Sequence, residues 1–265
     1  MHVLDDPSVS ARVRSFLAAY GRRAYQSMSA ERVKSLACTF GGEVNESPAP
    51  AEVVAAMVAF EERYGGLETR LPDRNPTEYG LDGEARAQWT PYGWAFTAIL
   101  DGPQTWPVDV LIDGRTAMAM PRAPYRIINS SVEQRLESDA LKAAVRSWRH
   151  RALTATAERL AIPAVANKLL PPRVAEATGP ADLWWSDDQI AVHLRLFNWW
   201  RGRSEHAPDR DTWTVRCFTR DPTTLDEAIA AVRAGFSGLA TPEETWCSLC
   251  GRFVPPGQSC PPGER

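Results

Sequence analysis

Two Asp-Gly pairs divide the stretch from Tyr92 to Met120 into three runs of extended character, and they restrict the fold more than any other feature. The pairs are Asp101-Gly102 and Asp113-Gly114, and Asp-Gly readily adopts the positive φ angles that tight hairpin turns require. Apolar residues alternate onto one face of the first two runs: Trp94, Phe96, Ala98 and Leu100, then Trp106, Val108, Val110 and Ile112. The sequence therefore predicts an antiparallel meander.

Helical patterns flank this sheet on both sides. Apolar residues recur every three or four residues from Val9 to Met28, which is the spacing of an amphipathic helix. A second stripe of the same kind ends at Tyr64, where Gly65-Gly66 stops the helix. That second stripe consists of Val53, Met57, Phe60 and Tyr64. After the meander, Ser130 and Glu133 have the spacing of a capping box, and we predict a helix from there to about Ala161.

A proline-rich stretch, 162–180, separates this part from a second pattern of strands and one helix. Extended runs at Trp184-Trp185, Ile190–Leu196 and Trp213–Thr219 precede a helix with Leu225, Ile229, Val232 and Phe236 on one face, which Thr224 and Glu227 would cap. The predicted fold class is α+β, with an antiparallel meander flanked by helices and then a smaller β-β-β-α unit. We predict a domain over 1–161, a linker over 162–180, a small domain over 181–240 and a cysteine-containing tail over 241–265.

Charge and hydropathy exclude several classes of protein. The formal net charge is -3, from 30 basic and 33 acidic residues, and the arginines are scattered, so extensive contact with nucleic-acid backbone is disfavoured. The first ten residues lack the basic flank and apolar core of a secretory signal, and no apolar run approaches the roughly 20 residues that span a bilayer. We expect a cytoplasmic protein that does not enter a membrane.

The strongest local motif is Cys247-Ser-Leu-Cys250-Gly-Arg. Two cysteines at this spacing on a turn that ends in glycine can offer both thiolates to one tetrahedral zinc ion, and Cys260 would be a third ligand. The fourth ligand is unknown, with His206 and Cys217 as candidates from outside the tail. The alternative is that these cysteines are free thiols.

Residues suited to catalysis are present but form no recognisable constellation. The four histidines are scattered, His193 lies alone in a predicted strand, and Asp187-Asp188 is best explained as a turn. The segment around Ser237 follows a helix, whereas a nucleophile elbow needs a strand-to-helix turn. We expect no enzymatic activity, and a hydrolase with a dispersed site remains an alternative.

Ten tryptophans suggest a binding role, because tryptophan is enriched at the energetic centres of interfaces. Periodicity places Trp94 and Trp148 in the core. Trp199-Trp200, at a predicted strand end beside a charged loop, is the best candidate for exposed tryptophans that bind a partner.

Residues 50 to 150 resemble the SUKH superfamily, which includes yeast Smi/Knr-type regulators and many bacterial immunity proteins of toxin systems. The resemblance rests on a helix closing in Phe60-Glu-Glu-Arg-Tyr64-Gly-Gly-Leu67, a sheet containing Trp and Gly, and Ser130-Ser131-Val132 opening a helix after an Ile-Ile strand. It implies an α+β, non-enzymatic protein that docks on a partner, often a toxin domain that it inhibits.

The function that we expect is therefore that of a bacterial protein-binding module, in its most concrete form an immunity protein that masks the surface of a toxin. A second hypothesis, based on the cysteine tail, is a zinc-stabilised accessory protein that contacts nucleic acid or a larger assembly.

Overall fold

The computed structural model divides the chain into two compact units. The first comprises Met1–Ala119 and Tyr125–Ala143, and the second comprises Met120–Pro124 and Ala144–Arg265. The structure describes residues 1–40, 47–71, 75–81, 85–101, 107–118, 125–156, 160, 162, 169–197, 212–237, 239, 245–247 and 252–254.

Five α-helices occur within these residues: α1 (Ala11–Tyr20), α2 (Ala30–Leu36), α3 (Ala51–Tyr64), α4 (Val132–Ala144) and α5 (Leu225–Gly235). None of the described helices has the length and apolar character needed to cross a bilayer.

Ten described strands form the sheet of the first unit: β1 (Gly21–Arg23), β2 (Cys38–Thr39), β3 (Ser47–Pro48), β4 (Leu67–Thr69), β5 (Thr77–Tyr79), β6 (Arg86–Thr90), β7 (Gly93–Asp101), β8 (Pro107–Leu111), β9 (Thr116–Met118) and β10 (Arg126–Asn129). Strands β6 to β10 are consecutive antiparallel neighbours, so the predicted meander is confirmed. The Asp113-Gly114 turn joins β8 to β9, with Gly114 at φ +88°.

The longest strand of this sheet, β7, also organises it. One edge of β7 pairs with β8, while the other edge pairs with β6 up to Phe96 and with β5 from Ile99 onward. A bulge at Ala98 lies between these two halves, since Thr97 pairs with Asp109 and Ile99 with Val108. The predicted alternation through Leu100 is therefore wrong, because the bulge buries both Ala98 and Ile99 and turns Leu100 outward.

Helix α3 covers part of this sheet with the face that the sequence predicts. Val53, Met57, Phe60 and Tyr64 are all buried, and the Phe60 ring lies edge-on to Phe96 of β7, with 5.9 Å between centroids. The helix ends at Gly65, followed by Gly66 in a left-handed conformation at φ +80°. Both the buried face and the glycine stop are confirmed.

Two predicted helix boundaries in the first unit are wrong. The first helix ends at Tyr20 instead of continuing to Met28, because the chain enters β1 at Gly21 and pairs with β4. The cap of α4 is shifted by one residue: Ser131 Oγ accepts from Gln134 N at 3.0 Å, and Gln134 Oε1 accepts from Ser130 N at 3.1 Å. Glu133 instead accepts a hydrogen bond from the Tyr64 hydroxyl at the end of α3.

The second unit contains a four-stranded antiparallel sheet made of β11 (Arg149–Thr156), β12 (Asp182–Ser186), β13 (Ile190–Phe197) and β14 (Thr212–Thr219). Its order is β11-β14-β13-β12, and α5 follows β14 along the chain. The last three strands and α5 confirm the predicted β-β-β-α order, and Leu225, Ile229, Val232 and Phe236 are buried on one face. Thr224 precedes α5 but makes no capping hydrogen bond through its side chain, so the predicted cap is wrong.

Strand β11 replaces the predicted continuation of α4 to Ala161. Residues 149–156 pair with β14 along their whole length, from Arg149 opposite Thr219 to Thr156 opposite Thr212. Long-range pairing overrides local helical character here. Trp148 consequently lies in the turn after α4, where it is half-buried, and not in the helical stripe.

A small hairpin completes the described structure. Strands β15 (Thr245–Cys247) and β16 (Arg252–Val254) pair antiparallel, with Cys247 opposite Arg252.

Two glycines with similar backbone angles give a matched test of the chain reversal after α3. A Cβ on Gly66 would lie 2.2 Å from the Tyr25 carbonyl oxygen, whereas a Cβ on Gly114 would meet nothing within 4 Å. We expect Gly66→Ala to lower the free energy of unfolding by about 3 kcal/mol, and Gly114→Ala by about 1 kcal/mol. Urea denaturation measures both, and equal losses would contradict the close approach at Gly66.

Candidate functional site

Three large apolar side chains form a row across neighbouring strands of the first sheet. Trp89 of β6 pairs with Trp94 of β7, and Ile112, directly after β8, donates its amide to the Trp94 carbonyl at 3.1 Å. Because paired residues of adjacent strands point to the same face, the side chains of Trp89, Trp94 and Ile112 lie side by side. We call these three residues the aromatic row.

The aromatic row continues the core face of the sheet beyond the level that α3 covers. Phe96 lies two residues along β7 from Trp94 on the same face, and it is buried at 1% exposure against Phe60. At the level of the row, Trp89 is 69% exposed, Ile112 is 39% exposed and Trp94 is half-buried. The expectation that Trp94 lies in the core is therefore wrong, because the helix does not extend over this end of the sheet.

The two tryptophan rings support one another. Their centroids are 5.2 Å apart and their planes are at 83°, an edge-to-face geometry that is favourable for aromatic pairs. This contact favours one arrangement of the two rings, which reduces the side-chain entropy that binding would cost. Covering an exposed tryptophan of this kind with an apolar partner surface contributes about 2 kcal/mol.

Two hydrogen bonds of the Thr90 side chain stabilise the turn beside the row. Thr90 Oγ1 donates to the Gly93 carbonyl at 2.7 Å and accepts from the Tyr92 amide at 3.2 Å, while Gly93 takes φ +105°. Tyr92, at the tip, is 44% exposed, and the Arg115 guanidinium lies 5.9 Å from its ring centre. Aromatic residues with an arginine at the margin are the composition typical of binding hot spots.

A buried carboxylate fixes the strands underneath. Asp109 accepts from Gln88 Nε2 at 2.8 Å, from Thr97 Oγ1 at 2.7 Å and from the Tyr125 hydroxyl at 2.9 Å. Burial, together with the charge of Asp109, raises the pKa of Tyr125, so its hydroxyl stays protonated and continues to donate. These bonds join β6, β7 and β8, and they hold the aromatic row on a rigid support.

The sequence did not single out this row. Trp199 and Trp200, the predicted binding tryptophans, lie outside the described residues. One sequence pattern could have predicted the row. In Trp89-Thr-Pro-Tyr-Gly-Trp94 two tryptophans flank a turn that contains Pro and Gly, and a tight hairpin brings these two positions side by side.

The predicted metal ligands are only partly covered by the structure. Cys250, Cys260 and His206 lie outside the described residues, while Cys247 is the last residue of β15 and pairs with Arg252. Cys217 is fully buried in the core beneath α5, and burial raises the pKa of its thiol to about 11, which makes its thiolate costly to form. Among the described residues, no group of three or more ligating side chains comes together. Zinc binding in the tail therefore stays a prediction.

One buried histidine and one buried carboxylate are paired in the second unit. His193 Nε2 lies 2.6 Å from Asp182 Oδ1, and its ring stacks on Trp184 with 4.1 Å between centroids. Both side chains are at most 4% exposed. Cys217 cannot serve as their nucleophile, because it pairs with Val192 and so points to the opposite face of the sheet from His193. The pair links β12 to β13, and Arg216 of β14 lies opposite His193 in the register of the sheet.

A matched pair of substitutions tests whether the aromatic row belongs to the hydrophobic core and contributes to the stability of the fold. We expect Trp89→Ala to lower the free energy of unfolding by less than about 1 kcal/mol, because the ring is mostly exposed, and Phe96→Ala to lower it by about 3–5 kcal/mol. Chemical denaturation of the two variants measures the difference. A loss at Trp89 as large as that at Phe96 would show that the row is part of the core.

Comparison of the chain with protein-family models, with curated proteins and with solved structures gives no match.

Proposed function

We propose that this chain is a non-enzymatic protein-binding module that docks on a partner through the aromatic row. The observation that carries the proposal is the exposure of Trp89, at 69%, on a sheet end that hydrogen bonds to Asp109 hold in place. Folded proteins bury most large aromatic side chains, and an exposed, pre-organised aromatic cluster is typical of an interface.

The partner that we propose is a protein toxin domain. The SUKH-like pattern in residues 50 to 150 supports this choice, because immunity proteins of that superfamily act by covering a toxin's surface. Such inhibition requires shape and apolar contact but no reactive groups. A rigid row with an arginine at its margin meets that requirement.

Affinity capture with three baits tests this function: the wild-type chain, Trp89→Ala and a control variant. We expect the wild-type chain to retain a protein partner from its native cells, and Trp89→Ala to weaken that interaction at least about tenfold, which corresponds to about 1.4 kcal/mol. Phe40→Ala serves as the matched control, because Phe40 is 56% exposed but lies outside the row.

The second part of the experiment measures whether the chain protects cells from the toxicity of the captured partner. Equimolar wild-type chain should abolish the toxicity of the captured partner, and the Trp89→Ala variant should not. The proposal fails if no stable protein partner is recovered, or if wild type and Trp89→Ala retain it equally well.

A second candidate function is that of a zinc-stabilised accessory protein that contacts nucleic acid or a larger assembly. The observation that favours it is the pairing of Thr245–Cys247 with Arg252–Val254, since β15 ends at the first cysteine of the Cys247-Ser-Leu-Cys250 sequence. Two cysteines at this spacing can offer both thiolates to one zinc ion.

Metal analysis of the purified full chain tests this candidate. We expect about one zinc per chain in the wild type and in Cys38→Ser, and a loss of zinc in Cys250→Ser, since a structural site needs all four ligands. Clearly less than one zinc per wild-type chain would remove the main support for this function.

A further inference from the structure

Arginines converge on a groove in the second unit that the docking function does not use. The groove has a volume of about 440 Å³, and its lining includes Arg146, in the turn after α4, and Arg149 and Arg151, both in β11. All three arginines are exposed, and β11 is an edge strand of its sheet. Their guanidinium groups therefore open to solvent along one wall.

Two arginines of this groove, Arg149 and Arg151, carry positive charge that the described residues neutralise weakly or not at all. Arg151 forms an ion pair with Asp226 at 3.0 Å, but the Asp226 side chain is 84% exposed, so the pair is weakly held. Arg149 has no carboxylate partner among the residues that the structure describes. Guanidinium groups present a planar fork of donors that matches the oxygens of phosphate.

The start of α5 contributes to the wall of this groove but not to its positive charge. Pro222 and Leu225 line the groove, and Leu225 is the first residue of this 11-residue helix. The Asp221 carboxylate accepts from the Thr223 amide at 2.9 Å just before the helix, and Asp226 and Glu227 lie in its first turn. These carboxylates offset the positive end of the helix dipole, so the arginines supply the positive charge of the groove.

An aromatic ring supplies an apolar contact in the same place. Trp148 is half-buried in the lining, and the Arg220 guanidinium lies 5.3 Å from its ring centre. Leu225 and Pro222 add further apolar surface. A ligand that fits this lining carries both an oxyanion and an organic group.

Size and charge favour a small ligand over a polymer. A volume of about 440 Å³ lies within the roughly 300–1,000 Å³ of small-molecule sites. The chain as a whole carries a net charge of -3, which repels a long polyanion beyond the groove itself.

We propose that the groove lined by Trp148, Arg149 and Arg151 binds a small phosphorylated organic molecule, with its phosphate held by Arg149 and Arg151 and its organic part against Trp148. This site is independent of the aromatic row and of the partner that docks there.

Calorimetric titration of the full chain with pyrophosphate tests the anion part of the site. We expect saturable binding that Arg149→Gln and Arg151→Gln each weaken by about tenfold, as for the loss of one charge-assisted hydrogen bond. Arg32→Gln is the matched control, because Arg32 is an exposed arginine on α2 of the first unit, and it should bind pyrophosphate like the wild type.

Three results would overturn the proposal. The first is no pyrophosphate binding by the wild type, and the second is an equal loss of binding in Arg149→Gln and Arg32→Gln, which would indicate diffuse attraction. The third is short single-stranded DNA binding far more tightly than pyrophosphate and depending on Arg149, which would make the groove part of a nucleic-acid surface. Circular dichroism of each variant verifies that a lost signal does not come from unfolding.

Discussion

The register of β7 is the constraint on which the first unit depends. This strand pairs with β8 along one edge and with β6 and then β5 along the other, and the bulge at Ala98 marks the change of partner. The bulge buries Ala98 and Ile99 together and turns Leu100 outward. On the other side of the bulge, the same register stacks Phe96 against α3 and leaves Trp94 beyond the helix. Core and exposed row are thus two consequences of one pairing pattern.

Local periodicity predicts much of this fold, because a helix that packs on a sheet must bury a stripe of its own residues. The buried face of α3 and the Asp113-Gly114 hairpin followed from patterns a few residues long. Features that depend on residues far apart in the sequence could not be predicted from such short patterns. The bulge at Ala98 and the pairing of β11 with β14 arise from partners that no local window contains. Alternation placed Trp94 correctly on the face of the sheet that α3 packs against. It could not show how far along that face α3 extends, so Trp94 was wrongly predicted to lie in the core.

The two units offer surfaces of different chemistry. The first has an apolar row held rigid by hydrogen bonds to Asp109, and the second has an arginine-lined groove that incorporates the start of α5. His193 and Asp182 lie together on one face of the second sheet, and Cys217 lies on the other face. The docking function that we propose would use the aromatic row for contact alone.

Hydroxyl-radical footprinting of the chain, free and bound to its captured protein partner, tests the docking surface most directly. Side-chain oxidation should be high at Trp89 and Ile112 in the free chain, and low at Phe96 in both states. Binding should suppress oxidation at Trp89 and Ile112 while leaving Phe40 unchanged, because only the first two belong to the row. A stable complex in which Trp89 and Ile112 are oxidised as readily as in the free chain would contradict the account.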